Sequence, residues 1–176
     1  MEVVDTGYLA PWCNPADLAL TENVTDPQLA KLLGLEIGKG KSNTLLMMSG
    51  CKSGAANVAS TISRLGFKDW FLPSLMELNE VCKFARYKTT GGIDICSKGE
   101  PQPKIRGYFV NSFYRASAIG ATDYWSSSEV LATNPKGHFA WAINFFASEP
   151  RVGLDKKGMR SVLAIRYFGA KGDGTG

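Results

Sequence analysis

Only one histidine, His138, occurs in the whole chain, and none of its four cysteines falls in a Cys-x-x-Cys spacing. That leaves no ligand set for a structural zinc site, and no metal or cofactor is expected. Long apolar runs are absent too. Nothing approaches the roughly 20 residues that a membrane-spanning helix needs, and residues 1–30 lack the basic start and apolar core of a secretory leader. Blocks of like charge are also missing. The net charge of +4 is spread along the chain, and a run such as Lys39-Gly-Lys41 is too thin for a nucleic-acid footprint.

Catalytic signatures are equally scarce. The stretch Asp123–Glu129 reads DYWSSSE, but no Gly-x-Ser-x-Gly elbow surrounds Ser126, Ser127 or Ser128. A serine nucleophile needs a base within hydrogen-bond reach and an oxyanion hole. Small hydroxyl residues beside a buried tryptophan instead suit a tight strand end, where they bond loop backbone. Gly40-Lys41-Ser42 invites a phosphate-loop reading, yet Gly34 stands one residue too far upstream and position 35 is Leu. Paired carboxylates for glycoside hydrolysis could be drawn from Glu77, Glu80, Asp94, Glu129, Glu149 and Asp155, but nothing sets two of them apart. The sequence predicts no enzyme.

What is present is a chain of 176 residues with many glycines between apolar segments. This fits one loop-rich domain over residues 1–168 and a flexible tail over 169–176. Residues 1–30 read as irregular, with a short strand at Val3-Val4 and a helix beginning at Pro27. Asn43 is a candidate cap for a short helix through Leu45, Leu46 and Met48, and Ser53 for a longer one stopped by Gly66. The strongest local signal is residues 69–82, DWFLPSLMELNEVC. Pro73 keeps Trp70, Phe71 and Leu72 extended, and Ser74 with Glu77 forms a capping box. Leu75, Leu78, Cys82 and Ala85 line one face of the helix that follows, leaving Met76, Glu77 and Glu80 to solvent. Further on, short strands are expected at Tyr108–Val110, Tyr124-Trp125, His138–Phe146 and Leu163–Phe168, with a turn at 134–137. In the third strand Phe139, Trp141, Ile143 and Phe145 alternate with Ala140, Ala142 and Asn144.

Cys13, Cys51, Cys82 and Cys96 permit three pairings, among which the sequence does not choose. The pairing expected is Cys82 with Cys96, because the loop after the helix can return Cys96 to its end. Cys13 with Cys51 follows by elimination. Both require an oxidising compartment.

Several of these stretches carry a resemblance. Asp69-Trp-Phe-Leu-Pro-Ser74 with Glu77-Leu-Asn-Glu80, Tyr124-Trp-Ser-Ser-Ser-Glu129, Ala140-Trp141 with Phe145, and the closing Val162–Phe168 resemble the bacterial domain of unknown function 1566. That is the C-terminal domain type of the Legionella collagen-like adhesin. In the closing stretch Leu163 and Ala164 replace the family's first Arg and Pro, while Arg166 is kept. Gly38–Cys51 and Ser53–Ala56 also match longer family members. The resemblance implies an α+β, C-type-lectin-like fold: two main helices, short twisted antiparallel strands, and long loops bearing the binding surface. The chain is also similar to target proteins of diversity-generating retroelements, in which the segment corresponding to Val130–Met159 is diversified. The Glu-Pro-Asn and Trp-Asn-Asp calcium signatures of animal lectins are missing, and Glu149-Pro150-Arg151 breaks the first. Formylglycine-generating enzymes, of the same broad fold class, use a cysteine pair near the C-terminus; here every cysteine precedes residue 97.

The expected function is therefore a secreted or cell-surface, non-enzymatic recognition domain, taking a protein or surface ligand through residues 130–160. The candidate contacts are Leu131, Asn134, Lys136, His138, Phe146, Glu149, Arg151 and Asp155. Phe139 and Trp141 offer further aromatic area, although the alternation around Trp141 favours core packing. A glycan- or glycosaminoglycan-binding adhesin, using Lys136, Arg151, Lys156 and Arg160, is the second expectation. An enzyme of unknown type is the third. Glu129 and Arg166 are expected to belong to the scaffold, because a lone charge among apolar residues must find a partner.

Overall fold

A computed structural model describes residues 1–14, 35–88, 90, 91, 96, 122–130, 138–146 and 151–168, with 151 and 152 described by backbone alone. Elements follow in the order β1 (Glu2–Ala10), α1 (Gly40–Gly50), α2 (Ala55–Ser60), α3 (Leu75–Ala85), β2 (Asp123–Glu129), β3 (Phe139–Asn144), β4 (Arg151–Asp155) and β5 (Arg160–Arg166). The strands form one sheet in the order β1-β5-β2-β3-β4. Pairing is antiparallel except where β2 meets β5 in parallel, Tyr124 opposite Ser161. The expected C-type-lectin-like α+β plan, two main helices with short antiparallel strands, is thus corrected. The sheet is mixed and dominates, and the helices are three and short.

Both faces of the sheet are covered, and the strand sequences explain how. In β5 the apolar run is continuous: Val162 and Ala164 point to one side, Leu163 and Ile165 to the other, all fully buried. Such a run is the mark of a strand covered on both faces. The first side packs on α1 and α2 through Met47, Ala55, Ala56 and Ala59, with Trp12 and Trp125. The second packs on α3 through Leu75, Leu78, Val81 and Cys82. The alternation read in β3 holds: Ala140 and Ala142 face α1 and α2, while Ile143 joins the α3 side, with half-buried Trp141 packed against it.

The capping box of α3 is formed as expected. Ser74 Oγ accepts from the Glu77 amide at 3.3 Å, and Glu77 Oε2 accepts from the Ser74 amide at 2.7 Å. Glu77 is not on a solvent face, however, but 1% exposed. Its Oε1 accepts from the Gly38 amide at 2.7 Å and from the Tyr167 hydroxyl. Helix α1 begins at Gly40 rather than at Asn43, whose Nδ2 donates instead to Ser127 Oγ at 3.2 Å. A Cβ at Gly40 would run into Glu77 Oε2 and lie 2.9 Å from the Leu72 carbonyl oxygen, so this approach needs glycine. Helix α2 is capped by Gly54, not Ser53, and stops at Ser60, short of the expected Gly66. Beyond it Arg64 and Phe67 pair as a tight hairpin around Leu65 and Gly66, at φ 54 and 82. Two central residues with positive φ are the geometry of a type I′ turn, which twists with its strands.

Strand β1 runs far past Val3-Val4, and β4 has no counterpart in the sequence reading. Segment 70–72 is extended as expected, with Phe71 bridged to Ile165. The expected helix from Pro27, the strand at 108–110, the turn at 134–137 and the tail at 169–176 lie outside the described residues.

Both disulfides form as paired in the sequence reading: Cys13–Cys51, 38 residues apart, and Cys82–Cys96, 14 apart. In the chain-entropy model loops of these lengths stabilise by about 4 and 3 kcal/mol. All four cysteines are buried, which marks structural links and suits an oxidising environment. Among the described residues no helix is long and apolar enough to cross a membrane.

Candidate functional site

The three serines each have a defined partner. Ser126 Oγ donates to the Trp141 carbonyl at 2.8 Å. Ser127 Oγ accepts from Asn43, and its amide donates to the Pro73 carbonyl at 2.7 Å. Ser128 Oγ accepts from the Leu75 amide at 2.9 Å, supplying a first-turn acceptor to α3. The register between β2 and β3 shifts between Trp125 and Glu129, so these residues form a bulge that turns its hydroxyls onto neighbouring backbone. Trp125 Nε1 donates to the Ala10 carbonyl at 2.9 Å, and Trp12 Nε1 to the Ser126 carbonyl at 2.7 Å.

One end of β3 is built on a buried ion pair. Lys156 Nζ donates to Glu129 Oε1 and lies 4.3 Å from the centre of the Trp12 ring. The Lys156 side chain is 0% exposed and that of Glu129 is 4%. The backbone of Lys156 closes the corner: its amide donates to the His138 carbonyl at 3.0 Å, and its carbonyl accepts from the Trp12 amide at 2.9 Å. Lys156, assigned to the binding surface from sequence, is thus a core residue. Glu129 finds its partner in Lys156. Arg166 clasps Asp69 at 2.9 Å and Glu2 at 2.7 Å, with its guanidinium 3.6 Å from the Phe67 ring centre. The Arg166 hydrogen bond holds the Asp69 carboxyl below its usual range.

The candidate contacts separate along β3. His138 and Asp155 sit at its start, where Phe139 pairs with Asp155. Phe146 and the Arg151 backbone sit at its finish, where Ile143 pairs with Arg151. Six residues of strand hold these groups roughly 17 Å apart. His138 is half-buried. Asp155 is exposed, with Oδ1 accepting from the Lys157 amide at 2.8 Å, so it shapes the turn into β5. Phe146 is half-buried against the α3-side core. Leu131, Asn134, Lys136 and Glu149 lie outside the described residues.

At the finish of β3 the sequence reading missed a polar cluster. Asn144 Nδ2 donates to Asp123 Oδ1 at 2.7 Å and to Thr122 Oγ1 at 3.1 Å, and Oδ1 accepts from the Phe146 amide at 2.9 Å. Arg160 approaches Asp123 at 3.4 Å. Burial outweighs these contacts and pushes the Asp123 carboxyl up. Arg160 is therefore tied to the sheet end. The period-two pattern gave Asn144 a face but carried no sign of Asp123 or Arg160, which neighbouring strands bring to it.

Among the described residues no group of three or more His, Cys, Asp or Glu side chains is placed to hold a metal ion. The arrangement offers rigid strand ends with the connections 130–138 and 145–150 leaving from opposite ends of β3. No family model matches the chain, and neither a curated protein nor a solved structure does.

Proposed function

We propose that this chain is a non-enzymatic recognition domain of an exported protein, related to the bacterial family it resembles in sequence. One observation carries the reading: the hydroxyls and carboxylates of its most distinctive motifs serve the scaffold. Ser126, Ser127, Ser128, Glu77 and Glu129 are each bonded within it. Buried disulfides suit the extracytoplasmic setting. Recognition then belongs to the connecting segments, where substitution leaves the core intact. Because the candidates divide between the two ends of β3, roughly 17 Å apart, a ligand smaller than that span engages one end. We assign recognition to the end with His138 and Asp155 and to the sequence segment between β2 and β3 that carries Leu131, Asn134 and Lys136, rather than to the end with Phe146 and the Arg151 backbone or to Glu149. The glycosaminoglycan reading loses support, since Lys156 is buried and Arg160 is held at Asp123.

A mutational scan of the displayed chain, reading protease resistance and binding to glycan arrays and cell surfaces separately, tests this. Substitutions at Leu131, Asn134, Lys136, His138 and Asp155 should change binding at constant protease resistance, while those at Phe146, Glu149 and Arg151 should not. Equal effects at both ends, or loss of fold at the first set, would refute the assignment. Salt-sensitive binding confined to sulfated glycans would favour the glycosaminoglycan reading.

A further inference from the structure

Helix α1 reverses the usual amphipathic arrangement. Its inward face is largely polar: Asn43 Nδ2 donates to Ser127 Oγ at 3.2 Å, and Thr44 Oγ1 accepts from the Leu72 amide at 3.0 Å. These bonds, with Met47 buried in the core, fix which side meets the sheet. The leucines point the other way. Leu45 is 62% exposed, Leu46 50% and Met48 40%, where a surface helix ordinarily shows polar groups to water. Ser42, Leu45, Leu46 and Ser49 are all exposed and fall at i, i+3, i+4 and i+7, so they line one stripe. The two serines turn back on α1 itself: Ser42 Oγ donates to the Lys39 carbonyl at 2.9 Å, and Ser49 Oγ to the Leu46 carbonyl at 2.7 Å. Apolar surface gathered in one place, rather than scattered singly, marks a contact.

The charges at the two ends of α1 say what covers the stripe. Lys39 and Lys41 stand at its start, where its first turn holds no acid, and its last turn holds no base. A helix favours the opposite arrangement, because its start is positive and its finish negative. Lys52 lies past the cap, where its amide turns to the Asn14 carbonyl at 2.7 Å. A second α1 running antiparallel resolves both mismatches at once, since each Lys41 reaches the negative finish of the other helix. We propose that this chain forms a two-fold dimer through α1, the two helices antiparallel and the axis passing between Leu45 and Leu46. Leu45 of each copy then meets Leu46 of the other, Ser42 meets Ser49, and Lys41 meets the helix end at Gly50. Small serines at both ends of the seam let the backbones approach closely. One helix pair buries less than the roughly 800 Å² per partner of a standard interface, so the dimer is weak and concentration-dependent.

Sedimentation velocity of the full chain, from micromolar to millimolar concentration, tests the proposal. A monomer–dimer equilibrium should appear. Leu45→Ser should weaken it roughly hundredfold, because the two-fold axis removes two leucines together. Its melting temperature in dilute solution should hold, since the side chain is exposed in the monomer. Lys41→Glu should weaken the dimer roughly tenfold, although an acid suits the start of its own helix and the dilute melting temperature should hold or rise. Adding Ser49→Lys to Lys41→Glu should restore the dimer. Eight positions, about 12 Å, separate the two on one helix, so they meet only across an antiparallel pair. The proposal is overturned by a monomer at every concentration, by an assembly other than a dimer, by a dimer indifferent to Leu45→Ser, or by failure of Ser49→Lys to restore it.

Discussion

Lys156 shows how far a charged side chain can travel from its sequence reading. It precedes another lysine, and a Lys-Lys pair in a turn ordinarily reads as solvated surface. Lys157 is indeed exposed, yet Lys156 lies wholly buried between Glu129 and Trp12. Two opposite charges inside a protein are costly to desolvate, and removing one leaves the other without compensation. Lys156→Met or Glu129→Leu alone should therefore destabilise by about 3–5 kcal/mol, measured by denaturant unfolding. The double variant should recover most of that loss, because a well-packed apolar pair replaces a buried ion pair at little net cost. Additive losses would mean that the two charges do not depend on each other.

At the scale of elements, legibility followed the reach of the interactions involved. The α3 start was readable because Ser74 and Glu77 act on each other three residues apart, and β3 because its alternation is local. The cysteine pairing came right through the short return from Cys82 to Cys96. What failed were features set by distant partners. The start of α1 depends on Glu77 and Leu72 crowding Gly40, some 30 positions away, and the early stop of α2 on the Leu65-Gly66 turn. Strand β4 was missed because five residues centred on Gly153 carry no alternation. The candidate contacts shared one sequence interval, but β3 sends its two connections to opposite ends. Gly40 gives an element-scale test: Gly40→Ala should destabilise by about 1–3 kcal/mol through overpacking at the α1–α3 junction. Helix propensity alone predicts the reverse, since Ala favours helix by about 1 kcal/mol over Gly. Thermal unfolding showing a gain would remove the close approach from the account.

For the molecule as a whole, stability depends on how its ends are tied and on which charges do the tying. Strand β1 and the close of β5 meet where Glu2 and Asp69 share Arg166, and α3 is held to the chain beyond it by Glu80, Lys83 and the Gly91 amide. Asp69 is lowered below its ordinary 3.8, chiefly by the Arg166 hydrogen bond. Burial is the largest single influence on Glu80 and pushes it upward, but the Gly91 and Lys83 hydrogen bonds together carry it below its ordinary 4.5. Groups lowered in the folded state contribute stability present above their unfolded values and lost as pH falls through the folded ones. Acidification below about pH 4 should therefore weaken both ties. Asp123 runs the other way. Burial raises it above 3.8, so its contribution is full below that value and lost as pH rises through the folded pKa. At neutral pH, then, Asp69→Asn should lower the melting temperature and Asp123→Asn should raise it, because the amide escapes the burial of a charge. The Asp123→Asn difference should shrink toward zero below about pH 4, where that carboxyl is protonated in either state, whereas the Asp69→Asn difference should fade only at still lower pH, below the lowered folded value. Melting curves of the three proteins across this range test the account. If Asp123→Asn were destabilising at neutral pH, its attraction to Arg160 would outweigh burial, and the sheet end would be held by an ion pair like that at Arg166.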